Sequence, residues 1–365
     1  MQINSRMRLF ASELRKRREK VYDYLTARKY VQRFAPEHIR NSVYSYIESS
    51  GKSLRPAVLL LSCGAVGGDE DKALPAAAAV EVYHTWTLVH DDIIDRDEKR
   101  RGRPSLHAEF CERAIEELGY TETEARHYGM SIAILAGDVQ QGWSVSLLCE
   151  LYSEKSIDPC VVLYLIDNLK MQVQSTLVEG ETLDIQYSKR FIESLNERLI
   201  VDMLWKKTGV LYEFAGRAGA VIGLNSCDSN NELVKELSAF ASKCGIAFQL
   251  QDDILGIVGD EDLLGKPVGS DLREGKRTTI VYYALNQANS CEKARLLDIL
   301  GKEQATIDEV TEAVHLLRRL GGIEYTKSLA RSYVNQAIPH LDRIPDSRYK
   351  DLLSMWAEYL ITREF

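Results

Sequence analysis

The sequence predicts an all-α fold, a single domain of roughly ten or more helices spanning residues 1–365. Three observations carry this. Apolar residues recur at three and four through most of the chain, as in Val234, Leu237, Phe240, Ala241 and Cys244, or Val310, Val314 and Leu317. The alternating apolar–polar pattern of strands is nearly absent. Only eight prolines occur, so long helices run uninterrupted, and breakers fall where helices should end: Gly51, Gly67-Gly68, Gly102 to Pro104, Gly119, Pro159, Gly223, Gly265 to Gly269, Gly301 and Gly321-Gly322.

Element by element, the first 25 or so residues read as a basic amphipathic helix, with Leu9, Phe10, Leu14, Val21, Tyr22 and Leu25 on its apolar side. Such a helix either meets a membrane or partner or packs on the body of the protein, and packing is the expectation. The stretches PAVLLLSCGAVGG and PAAAAVEVYHTW have the length of core helices. No uncharged apolar run reaches about 18 residues, so no membrane-spanning helix is expected. The N-terminus has no apolar h-region of a signal peptide.

The bulk numbers exclude several classes. A net charge of −8 argues against nucleic acid as the main partner. The seven cysteines are scattered, odd in number and without a CxxC pair. Free thiols in a reducing cytoplasm are therefore expected rather than a disulfide framework or a zinc site.

Chemistry concentrates in two stretches. Residues 88–102 read LVHDDIIDRDEKRRG, in which Asp91, Asp92 and Asp95 come first and Lys99, Arg100 and Arg101 close the run. On a helix Asp91 and Asp95 share a face, and Asp92 is offset by about 100°. Like charges at that spacing repel, and a hard divalent cation offsets the repulsion. Residues 248–253 read FQLQDD, again an Asp pair delivered by an apolar helix, and Lys266 and Lys276 follow. Carboxylates that hold metal beside cations that hold phosphate make diphosphate chemistry the natural candidate.

With GKSLRP at 51–56, HTWTLVHDDIIDRDEKRRG at 84–102, KKTGVLYEFA at 206–215 and FQLQDD followed by GKPVGSD and EGK, the sequence resembles the trans-isoprenyl diphosphate synthases, the family of farnesyl and geranylgeranyl diphosphate synthases. The resemblance covers residues 30 to 330 or so, and the motif forms look most like those of archaeal members. It implies a multi-helix fold around a central cavity, with isopentenyl diphosphate and allylic diphosphates as substrates. It also implies a homodimer and about three Mg²⁺ per active site. Neither nucleic acid nor an integral membrane association is implied.

The resemblance further implies a role for each residue. Lys52, Arg55, His84 and Arg101 would bind isopentenyl diphosphate. Asp91 and Asp95 would hold two Mg²⁺ and Asp252 a third, with Asp92 and Asp253 as helpers. Arg100, Lys207, Lys266 and Lys276 would contact the allylic diphosphate, with Thr208 and Gln249 near the ionising carbon. Taken alone, His84 on an apolar helix reads as a core residue and Lys206-Lys207 as a solvated face. Ionisation of the allylic diphosphate, attack by the isopentenyl double bond and loss of a proton to the departed diphosphate need no side-chain base. No Ser/His/Asp or Cys/His set is evident.

The pattern departs from the family in places. Gly256 stands where the family has a further Asp, and the next carboxylate is Asp260. The third metal is therefore expected to have fewer protein ligands. Glu181 in GETLD replaces a Gln, with Asp184 left as a weak candidate for metal-bound water, and Ser50 replaces a Gly. In this family the residues before the first Asp pair face the growing chain. Tyr83 and Trp86 share a face there and Thr87 is small, which points to a twenty-carbon product, with fifteen carbons or both as the alternative. A class I terpene cyclase or a non-catalytic synthase subunit are the remaining rivals. The presence together of Lys52, Arg55, His84 and Arg101 favours condensation.

Overall fold

Helix-period patterning dominates the sequence, and the computed structural model is helical almost throughout the residues it describes, 2–49, 51–258 and 269–362. The chain forms two compact units. One comprises the residues up to Ile166 with Ala218–Asp228; the other comprises Asp167–Arg217 with the residues from Ser229 onward.

The first unit contains α1 (Gln2–Leu25), the short α2 (Arg28–Val31), α3 (Glu37–Glu48), α4 (Leu54–Ala65), α5 (Leu74–Ile94), α6 (Leu106–Leu118), α7 (Glu122–Ser153) and most of α8 (Pro159–Asp167). The basic helix α1 docks on this unit, burying Phe10, Val21 and Leu25, while Leu9 stays exposed. Arg17 fixes it through Glu13 and Glu70. The alanine run of α5 is fully buried, because small side chains let neighbouring helices close on it. Thr121 and Glu124 form a capping box that starts α7, and Gly119 ends α6 in the left-handed conformation. A packed aromatic group of Tyr30, Phe34, Tyr44 and Trp143 joins the N-terminal segments to α7.

A two-residue hairpin lies between α5 and α6, with β1 (Lys99–Arg100) antiparallel to β2 (Arg103–Pro104). Arg101 and Gly102 at its tip both have positive φ, the backbone that a tight hairpin turn requires. The basic end of the first acidic run is therefore a hairpin and not a further helical turn.

The cysteine expectation is corrected at one pair. Cys160, at the start of α8, is disulfide-bonded to Cys227 in the same unit. The two lie 67 positions apart in sequence, so their 6.0 Å Cα separation is a product of the fold that spacing rules do not reveal. Cys63, Cys111, Cys149, Cys244 and Cys291 are free thiols.

The second unit contains α9 (Gln174–Ser188), α10 (Glu197–Leu204), part of α11 (Val210–Leu224), α12 (Glu232–Val258), α13 (Ser270–Glu274), α14 (Thr279–Gln287), α15 (Ser290–Ile299), α16 (Ile307–Arg319), α17 (Gly322–Asp342) and α18 (Arg348–Thr362). Its core gathers Leu204, Ile246, Leu250, Ile254, Ile280 and Leu317. Trp356 of α18 packs against Phe240 and Tyr212. Capping boxes at Asn289/Glu292 and Thr306/Glu309 start α15 and α16. Two π-helical segments interrupt the α geometry, Asn168–Val173 and Trp205–Gly209.

Candidate active site

Helix α5 delivers the first acidic group. Asp91 lies in its last turn, and Asp95 is the residue that ends it. Their carboxylate oxygens come within 4.8 Å of one another, as the spacing predicts. Two hard oxygen donors at this separation suit Mg²⁺ or another hard divalent cation.

Asp92 faces the other way and is fully buried. Arg100 folds back from the hairpin and donates its Nε to both Asp92 oxygens, at 2.7 and 2.8 Å, with a further Nη2 bond to Asp92. Its Nη2 also reaches Asp91 at 3.3 Å. The Tyr46 hydroxyl donates to Asp92 and accepts the Leu106 N–H at 2.9 Å. Asp92 thus joins α3, α5, the hairpin and the start of α6. Arg100, expected at an allylic diphosphate, is committed in this structure to the aspartate pair.

The same helix carries His84, one face and two turns before Asp91. Arg55, buried in the first turn of α4, donates to His84 Nε2 at 3.0 Å. Burial, together with the charges of Arg55, Arg101 and Arg100, holds the His84 imidazole well below its ordinary range. It is therefore neutral at pH 7 and accepts from the guanidinium. Lys52 is exposed in the loop that precedes α4. The Arg101 guanidinium sits 2.8 Å from where a Cβ on Gly51 would stand, so the hairpin tip reaches the GKSLRP loop. Of the four expected isopentenyl diphosphate ligands, Arg55 and Arg101 thus bring their charge to His84, and Lys52 is placed only by its loop, between Gly51 and Ser53. Nearby, the Tyr83 and Trp86 rings meet edge to face with centroids 4.9 Å apart, and the Trp86 indole donates to His90 Nδ1 at 3.1 Å. Thr87 turns its hydroxyl onto the His84 carbonyl.

In the second unit the π segment Trp205–Gly209 presents Lys207 and Thr208 from one wide turn. Such bulges recur at functional sites because they re-aim consecutive side chains. Gly180 of α9 permits this: a Cβ there would lie 2.3 Å from the Lys207 nitrogen. Lys207 Nζ is 2.7 Å from Asp184 and 3.0 Å from Glu181. Lys206 turns to Glu179 and Asp202 instead, and both lysine side chains are half-buried, so neither forms the solvated face expected of one of them. Thr208 donates to Gln249 Oε1 at 2.7 Å, and Gln249 donates to Asp253 Oδ1 at 2.9 Å. Burial and the neighbouring carboxylates Asp271, Asp184 and Asp252 push the Asp253 carboxyl well above its usual range. Asp252 lies half-buried next to it on α12. Lys276 pairs with Glu274 at 2.7 Å and approaches Asp271. Lys266 lies outside the described residues, as does Asp260.

Sequence reasoning missed Tyr46, Glu81 and Asp271. Asp271 bears on the departure at Gly256. A Cβ at position 256 would lie 2.5 Å from the Asp271 carboxylate, so α13 places a carboxylate against the backbone where the family's fifth-position Asp would begin. The GSD triplet was its only trace in the sequence.

A sequence model of the family described as Polyprenyl synthetase matches residues 36–317. The chain belongs to this family. It is 37% identical over 330 residues to a geranylgeranyl diphosphate synthase of Methanosarcina mazei, an alignment covering 90% of this chain and 91% of that one. Among solved structures, geranylgeranyl pyrophosphate synthetase from Pyrococcus horikoshii superposes with a TM-score of 0.79 at 31% identity over 100% of both chains. Geranylgeranyl pyrophosphate synthase from Corynebacterium glutamicum, solved with isoprenyl diphosphate and magnesium, gives 0.82 at 26% identity over 97% of this chain and 99% of that one. The all-α isoprenoid synthase fold expected from the sequence is therefore the fold of this polyprenyl synthetase, and the chain is a prenyltransferase.

Proposed function

We propose that the chain condenses isopentenyl diphosphate with allylic diphosphates and stops at geranylgeranyl diphosphate, acting as one all-α catalytic domain over residues 1–365. The observation that carries this is that Arg55 of α4 and Arg101 of the hairpin bring positive charge to neutral His84, which stands on the helix that ends in Asp91 and Asp95, with Lys52 in the loop before α4. A cyclase would need the carboxylates but not a separate seat for a diphosphate that stays bonded.

Asp91, Asp95 and Asp252 would hold Mg²⁺, about three ions in all, and magnesium when bound neutralises charge on the leaving diphosphate. Lys207, Lys276 and Lys266 would add positive charge for the same oxygens, and Arg100 would join them on leaving the aspartate pair that holds it here. The allylic C–O bond breaks and its electron pair leaves with the diphosphate. The isopentenyl double bond attacks the resulting cation, and the proton lost next goes to the departed diphosphate. The Thr208 and Gln249 oxygens supply dipoles that favour the developing cation. Asp92 and Asp253 orient their neighbours.

Product length rests on Tyr83 and Trp86 as the floor under the growing chain. Tyr83→Ala with Trp86→Ala should yield longer alcohols, and an unchanged product spectrum from a folded double variant contradicts the floor. A homodimer belongs to this reading. Its support is apolar side chains left exposed at helical spacing, Met130, Ile134 and Leu135 on α7 and Met171, Val178 and Ile185 seven apart in the other unit. A cytoplasmic location also belongs to it; the five free thiols favour a reducing compartment, and the Cys160–Cys227 disulfide counts against it. No helix among the described residues is long and apolar enough to cross a membrane.

The test is a product assay with purified protein, Mg²⁺, labelled isopentenyl diphosphate and one allylic starter at a time. A twenty-carbon alcohol from every accepted starter is expected. A stop at fifteen carbons overturns the product assignment, and diphosphate release without label incorporation overturns the condensation.

A further inference from the structure

We propose that Tyr22, Glu81 and Ser53 are positioning residues for isopentenyl diphosphate, so that the N-terminal helix α1 helps to shape the substrate loop. This rests on the reading above, in which Lys52, Arg55 and His84 take that diphosphate.

The loop between Lys52 and Arg55 is held in an uncommon conformation. Ser53 has φ 47° and ψ 42°, left-handed backbone that a non-glycine residue keeps only where its surroundings impose it. The imposed contacts converge on one carboxylate oxygen. Ser53 Oγ donates to Glu81 Oε1 at 2.8 Å, and the Tyr22 hydroxyl donates to the same oxygen at 3.1 Å. Tyr22 in turn accepts the Gly51 N–H at 3.1 Å. Residues 51 and 53, on either side of Lys52, are therefore both tied to Glu81, one directly and one through Tyr22.

Glu81 is a costly choice for a purely structural link. It is 5% exposed, its Oε2 takes no hydrogen bond, and burial raises its carboxyl above the usual range. Glu81 also lies three residues before His84 on α5, so the same helix face fixes the loop and the imidazole that Arg55 touches. The Arg101 guanidinium packs over Gly51 as well. A loop released from Glu81 would move Lys52, Arg55 and the seat of Arg101 together, while Asp91 and Asp95 would keep their helix.

The experiment is steady-state kinetics on full-length Tyr22→Phe, Ser53→Ala, Glu81→Gln and Glu81→Ala, with KM measured separately for isopentenyl diphosphate and for the allylic starter. Thermal unfolding confirms that each variant is folded. Tyr22→Phe and Ser53→Ala should each raise the isopentenyl diphosphate KM about fivefold, the loss of one hydrogen bond, and leave the allylic KM within about twofold. Glu81→Gln keeps an acceptor and should lie closer to wild type than Glu81→Ala. Folded Tyr22→Phe and Ser53→Ala with unchanged isopentenyl diphosphate KM, or with both KM values raised alike, overturn the proposal. A wild-type chain that incorporates no isopentenyl unit overturns the functional reading beneath it, and that control separates the two failures.

Discussion

The two aspartate pairs look alike in sequence, each at the end of an apolar helix, yet the structure holds their second members by opposite means. Asp92 is buried against a guanidinium and a tyrosine hydroxyl, a charge-paired anchor. Asp253 is buried against a neutral amide, Gln249, with other carboxylates around it. The first pair is braced by an ion pair that a hairpin brings back onto the helix. The second is braced by a chain of neutral hydrogen bonds running from Thr208. The first arrangement is costly to break, because an unpaired buried charge remains, whereas the second tolerates loss of the carboxylate's charge.

The comparison can be broken or sharpened by substitution. The largest expected effect is on the first members, where the two regions should behave alike. Asp91→Asn and Asp252→Asn should each lower isopentenyl incorporation by about 10²- to 10³-fold. Retained activity in either would remove that member from the metal-holding group. On stability the regions should separate. Asp92→Asn should cost about 3 kcal/mol in denaturant unfolding, because Arg100 loses its buried charged partner and keeps only the longer 3.3 Å contact to Asp91. Asp253→Asn should cost about 1 kcal/mol or less, because Gln249 keeps an acceptor. Equal costs would contradict the distinction.

The smallest effect is a pH slope. His84 has a folded pKa well below its unfolded value of about 6.5. As pH falls below that value, the unfolded chain binds a proton that the folded chain refuses, so stability drops toward acid. His84→Gln should flatten the unfolding midpoint between pH 7 and 5. An unchanged slope would mean that His84 is charged in the folded state.

The legible part of this molecule was the part written in local pattern. The apolar run of α5 and the i, i+4 placement of Asp91 and Asp95 follow from spacing, and the meeting of Arg55 with His84 agrees with what the family resemblance implies for them. What stayed hidden depends on distant approach. Tyr46 meets Asp92 across 46 positions and Cys160 meets Cys227 across 67, and neither pair leaves a periodic signal. The hairpin was marked only by its breakers, because Arg101 adopts positive φ without being glycine. The π turn at Trp205–Gly209 is likewise invisible to a helical count, since its residues have ordinary helix propensity. Gly256 read as a lost ligand. In three dimensions it is the space beside which the Asp271 carboxylate lies.

The most direct test of the central claim, that both aspartate pairs serve the ionisation that precedes condensation, is a single-turnover measurement of diphosphate release alongside isopentenyl incorporation. Wild type, Asp91→Asn and Asp252→Asn would be compared with the same allylic starter. Both variants should lose release and incorporation together. A variant that releases diphosphate at the wild-type rate while failing to incorporate the isopentenyl unit would contradict it.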